Sequence, residues 1–254
     1  MLFGLKSPLR YPNDNSKIAH VVGKLIPHNV NIIASPFFGG GGLEMALINQ
    51  GFKIDGHSNF KNLCEFWTCL TDDPELVHQV AKHFYPIEED ILYLMQEKIS
   101  QNENVFVRAG MFFVINRCTE EGTITHGRMM KNHPKFNEYS LQLLKNFKAT
   151  GLKIFYNKSY ENVISETNKL ILCCPPKYSS INALNASDAF FPEKQKIDHK
   201  KLNLLLLKKN KWILFLNYHK NLIKMYESFN IIYIDKFYKK TTNEPQYILI
   251  TNGV

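Results

Sequence analysis

The chain of 254 residues has no uninterrupted apolar run of the roughly 18 residues that a membrane helix needs, and its first residues carry no apolar leader core. Both absences set the expectation of a soluble, intracellular protein with no membrane span. Cysteine is sparse as well: Cys64, Cys69, Cys118, Cys173 and Cys174 form no Cys-x-x-Cys pair and no Cys/His ligand spacing. The adjacent Cys173 and Cys174 are poor disulfide partners, so reduced and mostly packed thiols are expected. His126 and His133 flank Arg128 and Lys131 without any ligand spacing between them, and no metal site is expected. There is no internal repeat or low-complexity tract. The one glycine-rich run lacks a following Gly-Lys-Ser/Thr, which excludes a P-loop.

What is present is an ordinary globular composition with a surplus of positive charge. An apolar content of 44% supports a sizeable core in one large domain, or one domain with an insertion. A formal net charge of +8 suits an anionic partner such as nucleic acid.

Hydrophobic patterning divides the chain. "NIIAS" reads as a strand, followed by "PFFGGGG" and a helix "LEMALINQG" that ends on Gly51; "FKIDGHS" reads as a second strand. Four helical segments follow, from "FKNLCEFWTCL" to "VFVRAGMFFVINR", with Phe66 and Trp67 on an apolar, core-facing stripe. Periodicity fails between Cys118 and Tyr139, where a basic and polar loop or hairpin is expected. Strands then alternate with helices through "GLKIFYN", "YENVISE", "KLILCCPP", "DHKKLNLLLLKKN", "WILFLNY" and "HKNLIKMYESF", and two consecutive strands close the chain. Alternation implies a parallel sheet covered on both faces, and the final pair implies an antiparallel hairpin at one edge. The expected division is an α/β domain from residues 1–59 and 152–254, carrying a mostly helical insertion over 60–151.

Two places could carry chemistry. In "ILCCPPKYSS" a buried strand stops at Pro175-Pro176, and proline both ends the ladder and fixes a rigid loop at the strand's carboxyl end. In open α/β sheets that is where ligands bind. The run from Pro36 to Gly42 joins the first strand to its helix, and glycine there lets the backbone approach a ligand closely.

Taken in order, "SPLRYPNDNSKI", "IIASPFFGGGGLEMAL", "HSNFKNLCEFWTCLTDDPE", "RAGMFFVINRCTEEG", "LILCCPPKY" and "EPQYILITN" resemble the Dam-like adenine-specific DNA methyltransferases over nearly the full length. The resemblance implies a Rossmann-like methyltransferase sheet with a helical target-recognition insertion and S-adenosylmethionine as cofactor. On that basis Tyr11, Pro36, Phe37, Gly39, Gly41 and Ser58 fall at cofactor-binding positions. Asn116 and Arg117, with Gly122 of the same stretch, help engage DNA, and Arg128 and Lys131 lie near its phosphates. Cys174, Pro175, Pro176, Lys177 and Tyr178 form the corner that holds a flipped adenine. In the family an acidic or amide side chain and a carbonyl there accept bonds from the adenine amino group, an aromatic ring stacks on the base, and catalysis is largely positioning.

The departures fall on the same positions. Cys174 replaces the acidic residue, and a thiol is a weak acceptor. Lys177 replaces the stacking ring, with Tyr178 one place further on. Ser35 and Ser58 replace acidic residues, and Asn15 replaces a lysine near the cofactor. Each hydrogen bond lost to a charged group costs about 1.5–3 kcal/mol. The expectation is a DNA-binding protein of this family with lost or much reduced catalysis and weakened cofactor binding. The alternatives are an active adenine methyltransferase with an altered Cys-Pro-Pro-Lys corner, and a structural or regulatory protein reusing the fold; a protein partner, such as an active methyltransferase subunit, is left open. Phe190 and Phe191 are candidate anchors of a loop over the corner, and the lysines around "LNLLLL" read as a solvated face.

Overall fold

The computed structural model describes residues 4–11, 14–119, 122, 130–156, 159–178 and 197–252. A seven-stranded sheet forms its centre: β1 (Ile32–Ser35), β2 (Lys53–Ser58), β3 (Leu152–Tyr156), β4 (Leu170–Cys173), β5 (Trp212–Asn217), β6 (Asn230–Ile234) and β7 (Tyr247–Asn252). Its order is β3-β2-β1-β4-β5-β7-β6. The first five strands in that order pair in parallel, and β7 runs antiparallel to both β5 and β6. The 3-2-1-4-5 portion is the order of a doubly wound Rossmann-like sheet, with one reversed strand inserted before the sixth. The closing hairpin forms as the alternation implies. The later strand lies inside because Ile248, Leu249 and Ile250 are fully buried, whereas most of β6 is half-buried and takes the edge.

The period of two is visible in the packing. Leu170 and Leu172 of β4, Ile213 and Phe215 of β5, and Leu249 of β7 face one core cluster. Ile171, Cys173, Trp212, Leu214, Ile248 and Ile250 face the other. Both faces are covered, which is why these strands read as continuous apolar runs.

Helices α1 (Ala19–Leu25), α2 (Gly42–Ile48), α8 (Tyr160–Glu166), α9 (His199–Leu206) and α10 (Lys220–Met225) accompany the strands; α1 and the short turn Ser16–Ile18 before it have no counterpart in the sequence expectations. Between β2 and β3 lie α3 (Lys61–Asp72), α4 (Pro74–His83), α5 (Glu89–Lys98), α6 (Val105–Cys118) and α7 (Glu138–Lys145). Asp73 caps α4 by accepting from the Leu76 amide at 2.9 Å, with Pro74 in the first turn, where its missing N–H costs nothing. Every residue of α6 from Ala109 to Cys118 is buried. Phe66, Trp67, Phe112 and Phe113 of these helices belong to the same core cluster as Ile33, Ile54 and Phe215 of the sheet. The helical segment is therefore packed as part of the sheet's own core. Among the described residues no helix is long and apolar enough to cross a membrane.

Candidate functional site

Strand order reverses between β1 and β4, and the crevice beyond their carboxyl ends is where doubly wound sheets bind ligands. A cavity of about 830 Å³ opens there. The glycine loop after β1 and the corner after β4 form two of its walls; Phe215 and Asn217 of β5, Tyr247 of β7 and the N-terminal segment complete it. That volume lies in the range of small-molecule sites, roughly 300–1,000 Å³.

Two glycines of the loop are required by neighbours in the chain. A Cβ on Gly40 would lie 2.2 Å from the Tyr11 Cβ, and one on Gly42 would lie 2.3 Å from an Asp14 carboxylate oxygen. Gly41 adopts φ +68°, a left-handed conformation that glycine enters without strain. The Trp67 indole N–H donates to the Gly39 carbonyl at 3.0 Å, tying the loop to α3.

Of the residues assigned to cofactor binding by resemblance, Tyr11, Phe37, Gly39 and Gly41 line the cavity. Pro36 and Ser58 do not. Ser58 is buried at the end of β2, where its hydroxyl accepts from the Phe60 amide at 3.3 Å and its carbonyl takes the Cys64 thiol at 3.5 Å.

The cavity also contains two carboxyl groups for which no sequence expectation was formed. Glu44, 5% exposed in the first turn of α2, accepts from the Ser35 hydroxyl at 2.8 Å. Burial raises its pKa and the nearby Asp14 charge adds to that, while the Ser35 bond opposes it. Asp14 lines the wall beside it and accepts from the Ser16 amide at 2.9 Å. The signal in the sequence is a lone acidic residue among Leu43, Met45 and Leu47, directly after the glycines.

At the corner, Cys174, Pro175, Pro176 and Lys177 line the cavity and Tyr178 does not. Burial holds the Cys174 thiol well above its ordinary pKa, reinforced by Glu44, so it stays neutral. Lys177 is exposed. Tyr178 is bracketed by Asn217, which accepts from its amide at 2.8 Å and donates to its carbonyl at 3.1 Å. Its ring packs edge-on against His199 and His219, with centroids at 5.4 and 4.8 Å. It is thus engaged behind the corner and does not stand in for the ring that Lys177 replaces.

Two of the residues assigned to DNA contact, Asn116 and Arg117, are not on the surface. Asn116 and Arg117 are buried, 1% and 8% exposed, because they hold the N-terminal segment against α6. Asn116 accepts from the Arg10 amide at 2.8 Å and donates to the carbonyls of Arg10 and Gly122 at 2.8 and 2.7 Å. Arg117 donates to the Pro8 carbonyl and lies 5.4 Å from the Phe113 ring centroid; burial lowers its pKa to about 10. Lys131 is exposed. Arg128, His126, Phe190 and Phe191 lie outside the described residues. Among the described residues no group of three His, Cys, Asp or Glu is placed to hold a metal.

Comparison with protein-family models and with curated proteins finds no match to this chain.

Proposed function

We propose that this chain is a DNA-binding protein of the adenine-specific methyltransferase kind whose base-holding corner has lost the chemistry of transfer. The order of the sequence stretches and the doubly wound sheet with a cavity at its switch point support the kinship. The loss of transfer rests on one observation. Where an amino group would need a strong acceptor, the wall offers Cys174, a half-buried thiol that is only a weak acceptor. The nearest ring in sequence, Tyr178, is packed between two histidines instead of lining the cavity.

A second reading, an active transferase with an altered corner, is favoured by Glu44 and Asp14. S-adenosylmethionine is cationic at sulfur and at its amino group, and two carboxyl groups in an open cavity suit that charge. Against it, Asp14 and Tyr11 occupy the space over Gly42 and Gly40, and Ser58 is outside the cavity. The cavity fits the charge of a methyl donor better than the corner fits the demands of a methyl acceptor.

Transfer of labelled methyl from S-adenosylmethionine to mixed-sequence duplex DNA separates the readings. No transfer is expected from the parent chain, whether or not calorimetry detects cofactor binding. Robust transfer by the parent establishes the second reading and overturns the first.

A further inference from the structure

Two helices carry outward faces that folding leaves unsatisfied. On α9 the inward stripe, Leu202 and Leu206, is fully buried, yet Leu204 and Leu207 are 62% and 53% exposed. Lys200 and Lys201 lie four and three positions before Leu204, on the same face, and Lys208 follows in the turn just beyond the helix. Lys200 and Lys201 stand in the first turn, where positive charge opposes the helix dipole. Lys201 is answered by Glu161 at 2.9 Å, whereas Lys200 and Lys208 have no ion-pair partner among the described residues.

On α5, Leu92 and Met95 face the core, while Ile91, Tyr93 and Leu94 are 42%, 49% and 51% exposed. Glu89 and Glu97 lie one turn either side of Tyr93, and Asp90 lies one turn before Leu94. None of the three has an ion-pair partner among the described residues. Lys98, the last residue, suits the carboxyl end of the helix. The two faces match in kind: an apolar pair within about one turn, Leu204 with Leu207 and Tyr93 with Leu94, flanked by lysines on α9 and by carboxylates on α5.

We propose that a second copy of this chain docks by laying the basic face of α9 on the acidic face of α5. Nucleic acid would satisfy the lysines but would leave Leu204 and Leu207 facing phosphates. A surface that is both acidic and apolar satisfies both, and this chain carries one. The patches differ, so the contact is heterologous. It does not depend on the chemistry of the cavity.

Sedimentation of the full chain at low ionic strength tests this. The average mass is expected to rise above that of a monomer with concentration, less steeply in high salt. Lys200→Glu with Lys208→Glu makes both faces acidic, and Asp90→Lys with Glu97→Lys makes both basic; each variant is expected to weaken association by about tenfold or more. Mixed in equal amounts they regain opposite faces, and association should return. Circular dichroism of each variant confirms that these surface changes leave the fold intact. A parent that stays monomeric at all concentrations overturns the proposal, as does a folded pair of variants that fails to complement. Loss of duplex binding in the α9 variant from a parent that does not self-associate assigns the face to DNA instead.

Discussion

Glu44 is a carboxyl group that destabilises the fold it belongs to. Burial raises its pKa, so the folded chain keeps a proton through a pH interval in which the unfolded chain has released it. Stability from this group is present below the unfolded value and declines as pH rises through the folded one. Glu44→Gln keeps an acceptor for Ser35 and removes the charge. It should raise the melting temperature at neutral pH, by about 1–2 kcal/mol in stability, with no gain at a pH below the ordinary carboxylate range. An unchanged or lower melting temperature at neutral pH contradicts this. His199 behaves in the opposite sense. Burial lowers its pKa from 6.5 to about 4, so the unfolded chain binds the proton first as pH falls. Its contribution, up to about 3 kcal/mol, is present above pH 6.5 and is lost between there and pH 4. His199 supports the Tyr178 ring, so acid should loosen the corner from behind. His199→Gln should flatten the acid limb of a melting-temperature profile; an identical limb in both proteins places the acid sensitivity elsewhere.

At the scale of elements, three asparagines act as portable pieces of backbone. Asn49 exchanges two hydrogen bonds with the amide and carbonyl of Leu5, Asn116 does so with Arg10, and Asn217 with Tyr178. Each fastens a segment that borders the cavity without adding a strand. Asn116→Ala removes three hydrogen bonds, one from the Arg10 amide and two to the carbonyls of Arg10 and Gly122, and should cost about 2–4 kcal/mol in urea unfolding. Amide exchange at Arg10 should accelerate with it; a variant that matches the parent in both measurements would show that the segment is held by Arg10 and Arg117 alone. These brackets also explain what the sequence conceals. The strands are legible because "NIIAS", "LILC" and "WILFLN" are buried on both faces and advertise it locally. Asn116 and Arg117 read as surface residues because polar side chains ending an apolar helix usually are, and their partners lie 106 and 109 positions away. Glu44 is similar: nothing nearby in sequence distinguishes a buried carboxyl from a charge at a helix start until Ser35 and Cys174 are folded around it. Tyr178 is readable as a neighbour of the corner, but its direction is set by Asn217 and His219, both beyond α9 in the chain.

For the whole molecule, the proposed reading, with a net charge of +8 and an exposed Lys131, predicts duplex binding that weakens steeply with salt. Lys131→Ala with Arg128→Ala should reduce the slope of log affinity against log salt by about 1 for each phosphate contact removed. An unaltered slope shows that DNA lies elsewhere. Arg117→Ala belongs to a different experiment, since it would act on stability by releasing Pro8. The helical segment between β2 and β3 shares one core with the sheet, and Trp67 stands at their junction with its indole bonded to Gly39. The chain has two tryptophans, and Trp212 packs in the other core cluster. With Trp212→Phe, the remaining indole becomes a built-in fluorophore whose emission reports on the glycine loop. A molecule entering the cavity that shifts the Gly39 carbonyl changes the field along that single N–H. The protein therefore carries its own optical indicator of occupancy, readable without a label and without turnover.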